Sequence, residues 1–372
     1  MSGGALSSDW APSFAAVPRS SFLPDLIWPF DMKTGQSVPV SRSEEPELWY
    51  GYADSDVPVV TQWDDGQHTG TEPGKVPTSS ASMPSVVFRM LSDLDVKPGH
   101  RVLEIGTGTG WNAALLAYRL RTETVVTVEL DSAVAAEART ALNLFGLPVS
   151  VITRDGLKGY PEGGPYDRII ATCGFRELPF AWVEQSRPGA VIVAPWGTNY
   201  GNGDAVVRLS VADDGESATG PLTGPVEFMK ARAQRLTSVV HADYVSGNVA
   251  DRDKSSTPIT EADFMGEQFS PQRFAMGLKL RDCVYVVADK RDDARPVWFY
   301  GLTDRSWACV MFRDDDEAQV WQSGPRQLWN EAETAYQWWT EKGKPGYDRF
   351  GLTVSAEGQS AWVDDPEESW PV

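Results

Sequence analysis

Apolar positions along this chain fall into three successive patterns. Up to about residue 77 they form short clusters broken by Pro and Gly, such as Phe22-Leu23-Pro24 and Leu26-Ile27-Trp28. This pattern predicts irregular structure with a polar loop at Asp64-Asp65-Gly66-Gln67-His68-Thr69-Gly70. From about 78 to 236, continuous apolar runs alternate with stretches of helical periodicity. The runs are VLEI (102–105), VVTVEL (125–130), VSVIT (149–153), RIIAT (168–172) and AVIVAPW (190–196). Runs without polar alternation suit strands buried on both faces, so the alternation predicts an α/β fold, a doubly wound Rossmann-like parallel sheet with helices on both sides. Beyond 237 the pattern changes to hairpin-like strands, VYVVA (284–288), VWFYGL (297–302) and WACVMF (307–312), and then a helical run over 326–343. The expected organisation is an N-terminal elaboration over 1–77, a core over 78–236 and an additional C-terminal α+β domain over 237–372.

Composition narrows the partners. The 372 residues suffice for two domains. The formal charge is -19, of which residues 237–372 carry -10, so the shorter segment is the more acidic per residue. An acidic surface repels phosphate backbones and anionic headgroups, and nucleic acid and membrane are not expected partners. Cys173, Cys283 and Cys309 are odd in number and never in a CxxC pair. Neither a disulfide framework nor a metal site is expected, and a reducing, cytoplasmic setting fits. The start MSGGALSSDWAP has no export-signal pattern, and no apolar run approaches the roughly 20 residues of a membrane span. Eight of the 15 tryptophans lie beyond residue 290, which we read first as core filling and second as a binding face.

The stretch Glu104-Ile105-Gly106-Thr107-Gly108-Thr109-Gly110 ends a strand and opens a helix, the setting of a nucleotide-binding turn. A dinucleotide fingerprint needs GxGxxG, and here Trp111 stands where the third glycine would fall. GxGxG preceded by Glu104 suits a ligand with an ammonium-bearing amino-acid end, as in S-adenosylmethionine. Glu129, ending the second strand about 20 residues on, is placed to hold ribose hydroxyls. Asp155-Gly156, ending the third, is placed to accept from an adenine amino group. Glycines that serve only a tight turn are the alternative.

LEIGTGTG, VELD and RDG, with their flanks, resemble the protein-L-isoaspartate O-methyltransferase family. Val17-Pro18-Arg19 with Phe22-Leu23-Pro24 is similar to its PR-x-x-F-x-P segment, and Ser80-Ala81-Ser82-Met83-Pro84 to its active-site segment. Pro165-Tyr166-Asp167-Arg168-Ile169-Ile170, Arg187-Pro188-Gly189 and Ala194-Pro195-Trp196-Gly197 resemble its fourth and fifth strand signatures. The resemblance spans roughly 17–236. It implies a class I methyltransferase sheet with S-adenosyl-L-methionine held by Glu104, Gly106, Thr107, Gly108, Gly110, Glu129, Asp155 and Gly156. It further implies Ser82 in the catalytic role and Ser80, Thr172 and Trp196 toward a peptide or polypeptide carrying Asp or isoAsp. Extra length and a Trp-rich C-terminal region resemble the extended methyltransferases that tailor ribosomally made peptides. The expected function is therefore methylation of an Asp side chain in a cyclised peptide, the ester closing to aspartimide and onward to isoaspartate. General isoaspartyl repair and a cofactor-binding protein without turnover are the alternatives.

Methylating a carboxylate needs no general base, because a side-chain carboxyl with pKa near 4 is already ionised at neutral pH. The scarcity of histidine, only His68, His100 and His241, agrees with this. His68 is expected in a solvated loop or lid. Cys173, at the end of the fourth strand, is expected to be a buried structural thiol. Ser82 stands just before a helix whose apolar residues Met83, Val86, Val87, Met90, Leu91 and Leu94 repeat at helical spacing. It reads either as a plain N-cap or as a carboxylate-binding hydroxyl. Oligomeric state is not fixed by any of these features.

Overall fold

Burial of the five central apolar runs organises the molecule. The computed structural model describes residues 6–31, 34–121, 124–267, 269–314 and 316–372; residues 1–5 of the N-terminal stretch read above lie outside them. Where irregular structure was expected before residue 77, the chain forms a small antiparallel sheet. Its strands are β1 (Leu26–Asp31), β2 (Gln36–Ser37), β3 (Val40–Ser41), β4 (Val59–Trp63) and β5 (Pro77–Ala81). Pro29 sits inside β1 and β5 reads PTSSA, so neither strand carries the apolar alternation that would announce it.

The expected runs form β6 (Val102–Ile105), β7 (Val125–Glu129), β8 (Val149–Thr153), β9 (Tyr166–Ala171) and β10 (Ser186–Trp196), all parallel. Their order is β8-β7-β6-β9-β10, so the chain reverses its winding direction between β6 and β9. A crevice opens at such a switch point beyond the strand C-termini. The helices Pro84–Leu94, Trp111–Leu120 and Ser132–Leu144 supply apolar faces to one layer of the core, with Phe88, Leu91, Leu115 and Leu142 almost wholly buried. Antiparallel β11 (Asp204–Val211) and β12 (Ser217–Val226) extend the sheet past β10.

Beyond residue 237 the structure departs from the expected boundary. The chain first builds a second sheet from β13 (Asp253–Thr257), β14 (Cys283–Val287), β15 (Ala294–Gly301), β16 (Trp307–Arg313) and β17 (Asp316–Ser323), packed against the helix Leu328–Glu341. It then returns to the main sheet. β18 (Phe350–Ser355) pairs with β12 from Ser217↔Ser355 to Pro221↔Gly351, and β19 (Gly358–Val363) and β20 (Trp370–Pro371) complete a ten-stranded sheet. The region 237–372 is thus an inserted lobe of about 110 residues followed by three strands of the core. The physical reason is burial: Phe350, Leu352, Val354 and Val363 share one apolar cluster with Ile192, Val207 and Leu222. At Gly351 a Cβ would stand 1.9 Å from the Trp362 ring, so that ring lies directly over the glycine backbone of the neighbouring strand.

The lobe is tied down by aromatic contacts. Lys279 Nζ lies 3.5 Å from the Trp370 ring centroid and 4.4 Å from that of Trp338, and Trp370 Nε1 donates to Leu278 O at 3.1 Å. Trp307, Trp329, Trp339 and Trp362 are buried, and no tryptophan is among the exposed large apolar residues. Core filling accounts for these four, whereas Trp298, Trp321, Trp338 and Trp370 are half-buried. Among the described residues no helix is long and apolar enough to cross a membrane, and no group of three or more His, Cys, Asp or Glu stands together as a metal site.

Candidate active site

The glycine turn after β6 floors a cavity of ≈ 340 Å³ at the switch point, within the usual range of small-molecule sites. The turn needs glycine conformationally: Gly106, Gly108 and Gly110 have φ of 91°, 52° and 88°. The loop is held from below and from its edge. Beneath it, Glu104 is fully buried and accepts from Asn112 Nδ2 at 2.6 Å and Thr127 Oγ1 at 2.5 Å. Burial pushes its carboxyl up to about 7, the Glu129 charge adding to the rise against the pull of those two hydrogen bonds. Glu104 therefore does not face the cavity, contrary to the direct cofactor contact expected; it braces the turn from inside. At the edge, Glu129 lines the cavity, accepting from Gly108 N at 3.0 Å and Asp131 N at 3.1 Å.

Gly106, Thr107, Gly108, Glu129, Asp155 and Gly156 all line the cavity. Gly110 does not; its Cα side faces the helix Ser132–Leu144, where a Cβ would come 3.3 Å from Ala138 Cβ. Ser80, Ser82 and Thr172 also line it, Thr172 donating through its hydroxyl to Gly106 O. Trp196 is a correction. It is wholly buried, with its indole N–H donating to Arg176 O at 3.0 Å and its ring against Phe274 of the inserted lobe. It packs the interface between lobe and sheet and touches no cavity.

Ser82 precedes the helix Pro84–Leu94, but the capping position belongs to Met83, and the first-turn amide of Ser85 donates to Asp56 Oδ1 at 2.8 Å. The plain N-cap reading of Ser82 is therefore excluded. Its neighbour Ala81 is fixed by Arg19, which is 3% exposed and donates to Ala81 O at 2.8 Å, Val57 O at 2.9 Å and Ser55 O at 3.2 Å. The N-terminal PR segment thus pins the backbone immediately before the serine.

Sequence reasoning missed one wall. The strap Phe228–Arg235, following β12, lines the cavity and brings Lys230, Arg232 and Arg235 to it. Arg232 donates to Asp131 Oδ2 at 2.8 Å and pairs with Asp65 at 2.9 Å, and Arg235 also meets Asp65 at 2.9 Å. Burial acts to raise the Asp131 carboxyl, but hydrogen bonds from Arg232, Gln62 and two helix amides overcome it and hold the group at about 2. A carboxyl depressed in this way keeps the strap latched above the ordinary carboxylate range, and the latch is lost only as pH falls through about 2. The signal in the sequence was Lys230-Ala-Arg232-Ala-Gln-Arg235, three cations in six residues of an acidic chain.

Two residues weighed for chemistry do none here. Cys173 lines the cavity, but burial drives its thiol up to about 12, far from the reactive thiolate. His68 lies outside, its Nε2 2.7 Å from Glu72 O and its ring edge-on to Trp28. No histidine lines the cavity among the described residues.

Comparison with known proteins adds the following. Residues 52–230 match the family model for protein-L-isoaspartate(D-aspartate) O-methyltransferase. A protein-L-isoaspartate O-methyltransferase of Pyrococcus horikoshii is 42% identical over 131 residues, 35% of this chain and 59% of its own. One of Rhodospirillum rubrum is 39% identical over 135 residues, 36% and 61% respectively. The chain thus spans about three-fifths of the length of these relatives. A solved structure of a protein-L-isoaspartate O-methyltransferase superposes with a TM-score of 0.54 at 22% identity over 96% of each chain, a likeness of fold that extends through the inserted lobe and the returning strands.

Proposed function

We propose, for a chain whose residues 52–230 are a domain of the protein-L-isoaspartate(D-aspartate) O-methyltransferase family, that it methylates the side-chain carboxylate of an isoaspartyl residue in a polypeptide, using S-adenosyl-L-methionine. The observation that carries this reading is the cavity at the switch point, lined together by the glycine turn, Glu129 and Ser82. The relatives favour an isoaspartyl acceptor over the aspartate of a cyclised peptide, reversing the order of preference drawn from the sequence.

The residues present fit the cofactor. At Gly108 a Cβ would stand 3.4 Å from Ser80 O, so a side chain there would narrow the cavity between loop and serine segment. Glu129 would hold the ribose, Asp155 and Gly156 the adenine end, and the Gly106–Gly108 backbone the amino-acid end. When bound, the cofactor supplies an electrophilic methyl on a sulfonium. The chain's own part is positioning and exclusion of water. Ser82, whose hydroxyl has no protein partner among the described residues, holds the acceptor carboxylate, which arrives already ionised and needs no base. Once the ester exists, the backbone nitrogen of the next residue attacks the ester carbonyl, loses its proton and expels methanol to give a succinimide.

The test is transfer of labelled methyl from the cofactor to an isoaspartyl peptide. We expect label that mild base releases as methanol; no label, or label stable to base, would overturn a carboxyl methyltransferase. In the same assay Ser82→Ala should lower kcat/KM by about 10- to 100-fold, the worth of one hydrogen bond to a charged group, with Tm little changed. Unchanged turnover would remove Ser82 from the site.

A further inference from the structure

The edge that holds the cavity does not stop at β9. The cavity covers the C-terminal ends of β8, β7, β6 and β9 through Asp155, Glu129, Gly106 and Thr172. One strand further along, a second cleft of ≈ 410 Å³ opens between the Thr198–Gly203 loop, which joins β10 to β11, and residues 269–274 of the inserted lobe. The two are neighbours in the chain as well: Phe175 lines the cavity and Arg176 the cleft. The strap borders both, with residues 228–235 on the cavity and Glu227 and Leu236 on the cleft.

The chemistry of the cleft is that of a peptide site with a cationic bias. Arg273 donates to the Tyr285 hydroxyl at 3.1 Å and to Glu267 O at 3.3 Å, and it forms no ion pair with any described carboxylate. Arg176 Nε is buried without a hydrogen-bond partner, but its Nη1 pairs with Asp204 at 3.8 Å and donates to Thr198 O and Gly201 O, so the free charge of the cleft is that of Arg273. Against these stands Glu227, the one acidic residue lining the cleft. Phe269 and Leu236 stand at the cleft, 38% and 39% exposed, and Asn199 and Asn202 offer side-chain amides that pair with peptide groups. On a molecule of charge -19, a cleft with an unpaired guanidinium selects an anionic partner.

We propose that this interlobe cleft receives the polypeptide flanking the acceptor residue, with Arg273 taking an acidic side chain of that flank. The proposal rests on the isoaspartyl reading and makes the inserted lobe a specificity element. One to two strand spacings of about 4.8 Å separate the end of β9 from the cleft, and an extended chain rises about 3.3 Å per residue. The acidic residue therefore lies about two to three positions from the acceptor.

The experiment compares isoaspartyl peptides that carry Glu or Ala at the third position on either side of the acceptor. Wild-type protein should favour a Glu peptide by about five- to tenfold in kcat/KM, through KM. Arg273→Gln should bring the Glu-to-Ala ratio near one, and Arg273→Lys should restore part of it. Fluorescence anisotropy of the same labelled peptides, read with S-adenosylhomocysteine present, reports the preference independently of turnover. A wild-type ratio near one by both measures, or a ratio that survives Arg273→Gln, would overturn the cleft assignment. If no isoaspartyl peptide is methylated but anisotropy shows the Arg273-dependent preference, the cleft stands and the isoaspartyl reading falls.

Discussion

A chain ended after Leu236 should lose cooperative unfolding and methyl transfer together, although it contains the whole segment that matches the methyltransferase family. Such a fragment removes β18, β19 and β20 from the main sheet and leaves β12 as an unpaired edge. It also strips Phe350, Leu352, Val354 and Val363 from the central cluster. At about 1.5–3 kcal/mol per buried side chain, the loss is roughly 6–12 kcal/mol, comparable with the whole stability of a domain at about 5–15 kcal/mol. Bare β12 also invites edge-to-edge aggregation. Thermal denaturation followed by circular dichroism should show no sharp transition for 1–236, and co-expression with 237–372 should restore one. A fragment 1–236 that melts cooperatively and turns over would show that the returning strands are dispensable.

The second large effect falls on Glu129. Its carboxylate already organises the turn through the amides of Gly108 and Asp131, and under the proposed function it would also hold the ribose. Glu129→Ala removes both functions. Two hydrogen bonds to a charged acceptor, at about 1.5–3 kcal/mol each, correspond to a weakening of S-adenosylhomocysteine binding by about 10²- to 10⁴-fold. Titration calorimetry reads this directly. Glu129→Gln, which keeps one acceptor oxygen, should fall between the two. Binding of the Ala variant within tenfold of wild type would take Glu129 out of the cofactor site.

What the sequence made legible follows from range. β6, β7, β9 and the second half of β10 are largely buried on both faces, so each announces itself as an unbroken apolar run, and the glycine turn is a local conformational demand. β12 escaped notice although its burial alternates strictly, because its inward positions are filled by residues such as Gly220, Leu222 and Gly224, which do not read as a strand. The return of β18 to β12 pairs Ser217 with Ser355, a contact that no local pattern encodes. Glu104 and Trp196 were misplaced for a related reason. Spacing locates a strand end, but burial against Asn112 and Thr127 in one case, and against Phe274 of a distant segment in the other, decides where the side chain goes.

These observations change the meaning of the acidic C-terminal region. It is neither an appended module nor a spare core, since its last strands complete the ten-stranded main sheet while its inserted lobe borders a cleft beside the cavity. The strap between them, latched by Arg232 to Asp131 and Asp65, links lobe and cavity wall through one short segment.

The most direct test of the central claim is the ratio of kcat/KM for an isoaspartyl peptide to that for its aspartyl twin, followed by mass spectrometry of the methyl ester. The account predicts methylation of the isoaspartyl peptide, with the twin at least a hundredfold slower. Equal or faster methylation of the aspartyl twin, or methylation confined to a cyclised peptide, would contradict it.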